Sequence, residues 1–253
     1  DALLRYQEKL SASRVAIIEY DEKILNRMRE RYPQPFIHWI HGDILQIAGM
    51  GLAPEFDLVF LMDMLHEVYS FYGRPDRDLG SQVDHALGLG YVRQALENVL
   101  TLMRPRCGIV ISDNVLCPEN HEVRVRLRRP AVVEAVRCFF AGYATRRIAH
   151  AFPAPEVMTL NARDFCILLT QYNKIRERNW TRWNVERHEI HQYMTLDEYR
   201  RTFAELGCDL HAVIGTPDAT VAEWNEDFEV LDGLERIPEK RITLLAMRRE
   251  VSR

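Results

Sequence analysis

No stretch of this sequence approaches the roughly 20 apolar residues that crossing a bilayer requires. The five cysteines, Cys107, Cys117, Cys138, Cys166 and Cys208, are odd in number and contain no CxxC pair. That pattern argues against a zinc framework or a closed set of disulfides, and fits reduced, mostly buried thiols of a cytoplasmic protein. A GxGxxG turn is absent, so the usual dinucleotide fingerprint is not written here. Ser112 has no GxSxG setting, which argues against a hydrolase nucleophile. Neither sign of charge dominates: the formal charge of −4 gives no drive toward nucleic acid or an anionic membrane. Repeats and low-complexity tracts are also missing. What remains is an ordinary globular composition, 47% hydrophobic over 253 residues, long enough for a large core with a lid.

The positive signals alternate between strand and helix. After a helix-like stretch over residues 1–12, Val15 to Ile18 form an unbroken β-branched and apolar run, read as a strand buried on both faces. It ends at Glu19, and Asp21 is placed to cap a helix carrying Ile24, Leu25 and Met28 on one side. Phe36–Ile40 is strand-like and leads to Gly42-Asp43-Ile44, so Asp43 also falls at a strand's carboxyl end. Phe56–Met62 reads as another buried strand, running into Asp63-Met64-Leu65-His66-Glu67-Val68. Tyr69 to Gly90 reads as a loop long enough to move over a site. Residues 92–103 follow the helical template, and Ile109–Asp113 is a further strand. This order predicts an α/β fold with a doubly wound, mostly parallel sheet. In such sheets ligands bind beyond the carboxyl ends of the strands.

These segments, in this order, resemble the class I S-adenosylmethionine-dependent methyltransferases. Arg14–Glu19 is similar to that family's second strand with its ribose-binding acid, and Gly42-Asp43-Ile44 to its adenine-contacting segment. Phe56–Val59 through Leu65-His66-Glu67-Val68 resembles the fourth strand and the turn after it. Leu102–Gly108 followed by Ile109–Asp113 resembles the turn and strand that come next. The resemblance implies a Rossmann-like fold and S-adenosylmethionine as cofactor, with S-adenosylhomocysteine as product. It implies Glu19 on the ribose, Asp43 near the adenine amino group, Tyr20 and Ile44 on the adenine faces, and the Leu61 and Met62 backbone toward the methyl end. His66 is the candidate general base, because an imidazole titrates near neutral pH. Glu67, Asp113 and Asn114 are candidates to face the acceptor, a small molecule. The alternative is an inactive methyltransferase-like module that binds or regulates a partner.

The same resemblance places a Gly-rich loop and a central strand ahead of residue 1. An upstream segment or a second chain is therefore expected to complete the sheet between Val15–Ile18 and Leu58–Leu61. The core is expected to occupy 1–118 and 193–253, with a helical lid over 119–192. Within the lid, Pro130–Tyr143 reads as one helix, and Asn161 caps a second bearing Phe165, Leu168, Leu169 and Tyr172. Trp180 and Trp183 follow. Thr195-Leu196-Asp197-Glu198 is a capping box, and Asp209–Gly215 and Arg241–Met247 read as the last two strands, which resemble the family's terminal hairpin with its antiparallel final strand. Two clusters are read as surface. His188 and His191 flank Glu189 without a third ligand nearby, so they read as a wet loop and no metal site is expected. Arg124, Arg126, Arg128 and Arg129 alternate on an edge or loop, read as a solvated charge run.

Overall fold

The structure, a computed structural model, describes residues 15–52 and 56–249. The helix expected over residues 1–12 lies outside them. The chain divides into two compact units. One holds the residues up to 52 with Gln94–Met103, and the other Phe56–Arg93 and the residues from Arg104 on.

In the first unit, β1 (Val15–Glu19) pairs in parallel with β2 (Ile37–His41), in a register that sets Glu19 opposite His41. Between them runs α1 (Glu22–Arg31), capped by Asp21, whose Oδ1 accepts from the Lys23 and Ile24 amides at 2.7 and 3.1 Å. Leu25 is the residue of α1 that is fully buried, while Ile24 stays exposed. A short 3₁₀ turn, Ile47–Met50, follows β2.

In the second unit, β3 (Phe56–Met62) leads to α2 (Leu65–Tyr72); then come α3 (His85–Thr101), which the division between the units cuts at Gln94, and β4 (Met103–Asn114). The 73–84 connection is shorter than the expected mobile loop, and it is tied down. The buried Arg74 guanidinium donates to the carbonyls of Ser70, Ser81 and His188. After β4 come β5 (Glu122–Leu127), α4 (Pro130–Gly142), β6 (His150–Ala154), β7 (Val157–Asn161), α5 (Ala162–Arg176) and α6 (Trp180–Glu186). The chain closes with α7 (Leu196–Glu205), β8 (Cys208–Gly215), α8 (Asp218–Asp227), β9 (Phe228–Asp232) and β10 (Arg241–Arg248).

These strands make two four-stranded sheets. One has the order β3-β4-β10-β8, with β10 antiparallel to both neighbours, which is the expected closing pair. The other has the order β6-β7-β5-β9 and is antiparallel. The 119–192 stretch therefore carries three strands beside its helices, and β9 joins them from beyond residue 192. The first two arginines of the run lie in β5, whose residues alternate: Val123, Val125 and Leu127 point to the core and Arg124 and Arg126 away from it. Glu229 of β9 receives Arg126 at 2.8 Å and Arg128 at 3.7 Å, so those charges are paired across strands. Under this sheet, Val125, Val136, Phe139, Phe165, Leu168 and Trp224 are part of one continuous apolar core. Trp183 joins it, whereas Trp180 remains exposed.

Among the described residues β1 pairs with β2 alone and β3 with β4 alone, so each has one unpaired edge. One expectation is corrected: β3 is not covered on both faces, since Leu61 is buried while Leu58, Phe60 and Met62, one face of the strand, are exposed. An apolar run on both faces of a strand signals capacity for burial, and here one face uses it.

Candidate functional site

The chain turns sharply after β3. Asp63 adopts a left-handed conformation, φ 50, which asparagine and aspartate tolerate better than other residues with a Cβ. It is pinned there by its amide, donating to the Ser112 carbonyl at 2.8 Å, and by the Arg241 guanidinium on its carboxylate. The turn delivers His66 to the first turn of α2, where no side chain at the cap position satisfies the helix amides. Asp113, from the carboxyl end of β4, does so instead: its Oδ2 accepts from the His66 amide at 3.2 Å. Its Oδ1 accepts from His66 Nδ1 at 2.7 Å and from the Asn114 amide at 2.8 Å.

This arrangement settles the tautomer. A carboxylate only accepts, so Nδ1 carries the proton and Nε2 presents its lone pair. His66 and Asp113 are buried, at 5% and 0% exposure. Burial works against the imidazolium, but the hydrogen bond and charge of Asp113 outweigh it, with help from Glu189 and Glu67. His66 consequently titrates above the ordinary imidazole value.

A second histidine backs the first. His191 stacks on His66 with ring centroids 4.5 Å apart, and Glu189 Oε2 lies 3.9 Å from His66 Nε2. His191 is held by Gln171, on the buried face of α5. Gln171 Oε1 accepts from Lys174 Nζ at 2.9 Å, so its amide group faces the Glu186 carbonyl and His191 Nδ1, each at 3.1 Å. His191 Nδ1 is therefore an acceptor, and Nε2–H points at Glu186 and Glu189, 3.2 and 3.5 Å away. Burial, reinforced by the Lys174 charge, pushes His191 well below the usual imidazole range and keeps it neutral. Lys174, ion-paired with Glu186, is itself pushed down to about 7, chiefly by burial.

His66, Glu189 and His191 bring one potential ligand atom each within 4.8 Å of the others, as do Asp63, His66 and Asp113. In the first set the hydrogen bonds oppose ligation, because His191 offers a proton at Nε2 and its lone pair faces Gln171.

The sequence-derived site residues fall in both units. Glu19 and Asp43 stand at neighbouring strand ends, linked by the Gly42 amide donating to the Glu19 carbonyl at 3.1 Å. Glu19 Oε1 accepts from the Asp21 amide at 2.9 Å, and Asp43 Oδ1 from the Leu45 amide at 2.9 Å. Tyr20 is exposed, and the Ile44 carbonyl is held by Asn98 Nδ2 at 3.0 Å. In the second unit Leu61 is buried, and Met62 and Glu67 are exposed. The carboxylate of Asp113, a candidate to face the acceptor, accepts from His66. Asn114 is buried, its carbonyl near the Tyr199 hydroxyl at 3.5 Å. His191, read as part of a wet loop, is 7% exposed. Sequence reasoning missed Gln171 and Lys174; their signal was two polar residues three apart on an otherwise apolar helix face.

No protein-family model and no curated protein matches the chain. Among solved structures it is similar to an S-adenosylmethionine-dependent methyltransferase from Mesorhizobium loti, 17% identical, covering 97% of this chain and 85% of that one at a TM-score of 0.50. A putative methyltransferase from Bacillus halodurans is 11% identical, with 94% and 84% covered and a TM-score of 0.45. A Burkholderia thailandensis 1,6-didemethyltoxoflavin N1-methyltransferase, solved with 1,6-didemethyltoxoflavin and S-adenosylhomocysteine, is 11% identical, with 98% and 66% covered and a TM-score of 0.45. The first of these likenesses shows the fold: the chain has the α/β fold of the class I S-adenosylmethionine-dependent methyltransferases.

Proposed function

We propose that this chain transfers a methyl group from S-adenosylmethionine to a nucleophilic O, N or C atom of a small-molecule acceptor, with His66 as general base. The observation that carries this reading is the buried His66–Asp113 pair at the carboxyl ends of β3 and β4. The fold match supports it at the level of architecture. The cofactor, when bound, supplies a methyl group already made electrophilic by its sulfonium.

The residues at the strand ends suit that group. Glu19 offers carboxylate oxygens to a ribose diol, and Asp43, close by, an acceptor to an adenine amino group. Tyr20 and Ile44, of the same unit, offer flanking surface to the adenine. His66 Nε2 takes the proton that the acceptor gives up as it is methylated. Asp113 holds the ring in the one tautomer that leaves Nε2 free and stabilises the resulting imidazolium. Glu189 adds negative charge beside Nε2, and the neutral His191 stacks on the ring without competing for the proton.

Incubation with S-adenosylmethionine and a panel of small phenols and amines should yield S-adenosylhomocysteine with at least one acceptor. His66→Gln should cut that turnover by about 10²–10⁴-fold, the usual weight of a general base, with S-adenosylhomocysteine affinity unchanged. Equal turnover in a folded His66→Gln variant would remove His66 from the reaction.

A further inference from the structure

A second candidate site lies where α4 ends and the chain runs through residues 144–150 to β6. A cleft of about 350 Å³ opens there, in the size range of small-molecule sites. It is lined by Gln82, Phe140, Tyr143, Arg146, Arg147 and His150, among other residues, with no Asp or Glu on its walls. In a chain of net charge −4, the two guanidinium groups of this pocket share a single acidic partner, Asp164 on Arg146, which leaves the charge of Arg147 uncompensated.

Arg146 is anchored by an ion pair between one terminal nitrogen and Asp164, and its other terminal nitrogen makes no hydrogen bond among the described residues. Arg147 is exposed and has no hydrogen bond or ion pair among the described residues. His150 donates Nδ1–H to the Ile148 carbonyl at 3.0 Å, which fixes the orientation of its ring. The walls are also flat. Phe140 and His150 stack face to face, centroids 3.7 Å apart and planes within 6°. Tyr143 is fixed by its hydroxyl donating to the Glu189 carbonyl at 3.2 Å.

We propose that this cleft binds a planar, anionic small molecule, one that carries a carboxylate or phosphate on an aromatic ring. The Arg146 and Arg147 guanidiniums take the anionic oxygens, as their planar donor forks favour, and the Phe140–His150 stack forms an aromatic wall against the ring. None of this uses His66 or a cofactor, so the site stands or falls apart from methyl transfer.

Calorimetric titration of the protein, without cofactor, with phenyl phosphate, benzoate and the neutral benzyl alcohol tests it. One or both anions should bind at one per chain, the tighter of them identifying the preferred headgroup, and benzyl alcohol should bind about tenfold more weakly or worse. Arg147→Glu, a surface change that leaves the core intact, should weaken the anion by about tenfold or more, and Arg147→Lys by less. The proposal is overturned if neither anion binds at millimolar concentration, if benzyl alcohol binds as well, or if Arg147→Glu leaves the affinity unchanged. A parallel titration with S-adenosylhomocysteine reports on the methyl-transfer reading separately.

Discussion

At the scale of single residues, the account rests on one proton at His66 Nδ1. Asp113 fixes that proton because it can only accept, and an asparagine there could present an N–H instead and reverse the tautomer. Asp113→Asn should therefore lower turnover by about 10²-fold or more. The pH dependence has a definite sign. Because the folded state raises the His66 value, protonation of this ring favours folding below the ordinary value of about 6.5, and that contribution fades as pH rises through the folded value. Turnover runs the other way, since the free base is the working form, and should climb as pH passes the His66 value. Imidazole NMR titration should show His66 above the ordinary range in the wild type and closer to it in Asp113→Asn. An unshifted titration in the wild type would show that Asp113 does not govern the ring. Glu189, His191 and Gln171 were the unreadable part of this site. Their approach to His66 spans more than a hundred residues of sequence, and only tertiary packing brings them together.

At the scale of elements, the readable features were those that local chemistry dictates. Asp21 caps α1 and Asn161 caps α5, as their side-chain oxygens next to helical runs imply. The capping box of α7 is present in both directions: the Glu198 amide donates to Thr195 Oγ1 at 3.3 Å, and the Thr195 amide to Glu198 Oε2 at 2.7 Å. Thr195→Ala removes one half of it, and should lower unfolding stability by about 1 kcal/mol, seen as a lower denaturant midpoint at unchanged slope. An unaltered midpoint would mean that packing, not the cap, sets that helix start. Strand β5 was harder to read, because a Val-Arg-Val-Arg alternation serves a solvated loop and a one-faced strand equally well. What decides it is β7 on one side and β9 on the other, and β9 arrives from a distant part of the chain. The burial of Trp183 and Arg74 was hidden for a similar reason. Their covering partners lie in other elements: Trp183 packs into the apolar core under the second sheet, and Arg74 reaches the His188 carbonyl.

At the scale of the whole molecule, the strand–helix alternation gave the fold class, and the mixed sheet ending in β10 follows from it. The second antiparallel sheet was not legible, since its four strands come from both sides of α7 and β8. The assignment of a cofactor rests on two parallel strands, β1 and β2, ending side by side with Glu19 and Asp43 at their tips. The most direct measurement is calorimetric titration of S-adenosylhomocysteine into the wild type and into Glu19→Ala. The account predicts one site per chain, with affinity reduced by about 1.5–3 kcal/mol in the variant, the range for a hydrogen bond to a charged group. No binding to the wild type, or equal affinity in a folded Glu19→Ala, would contradict it.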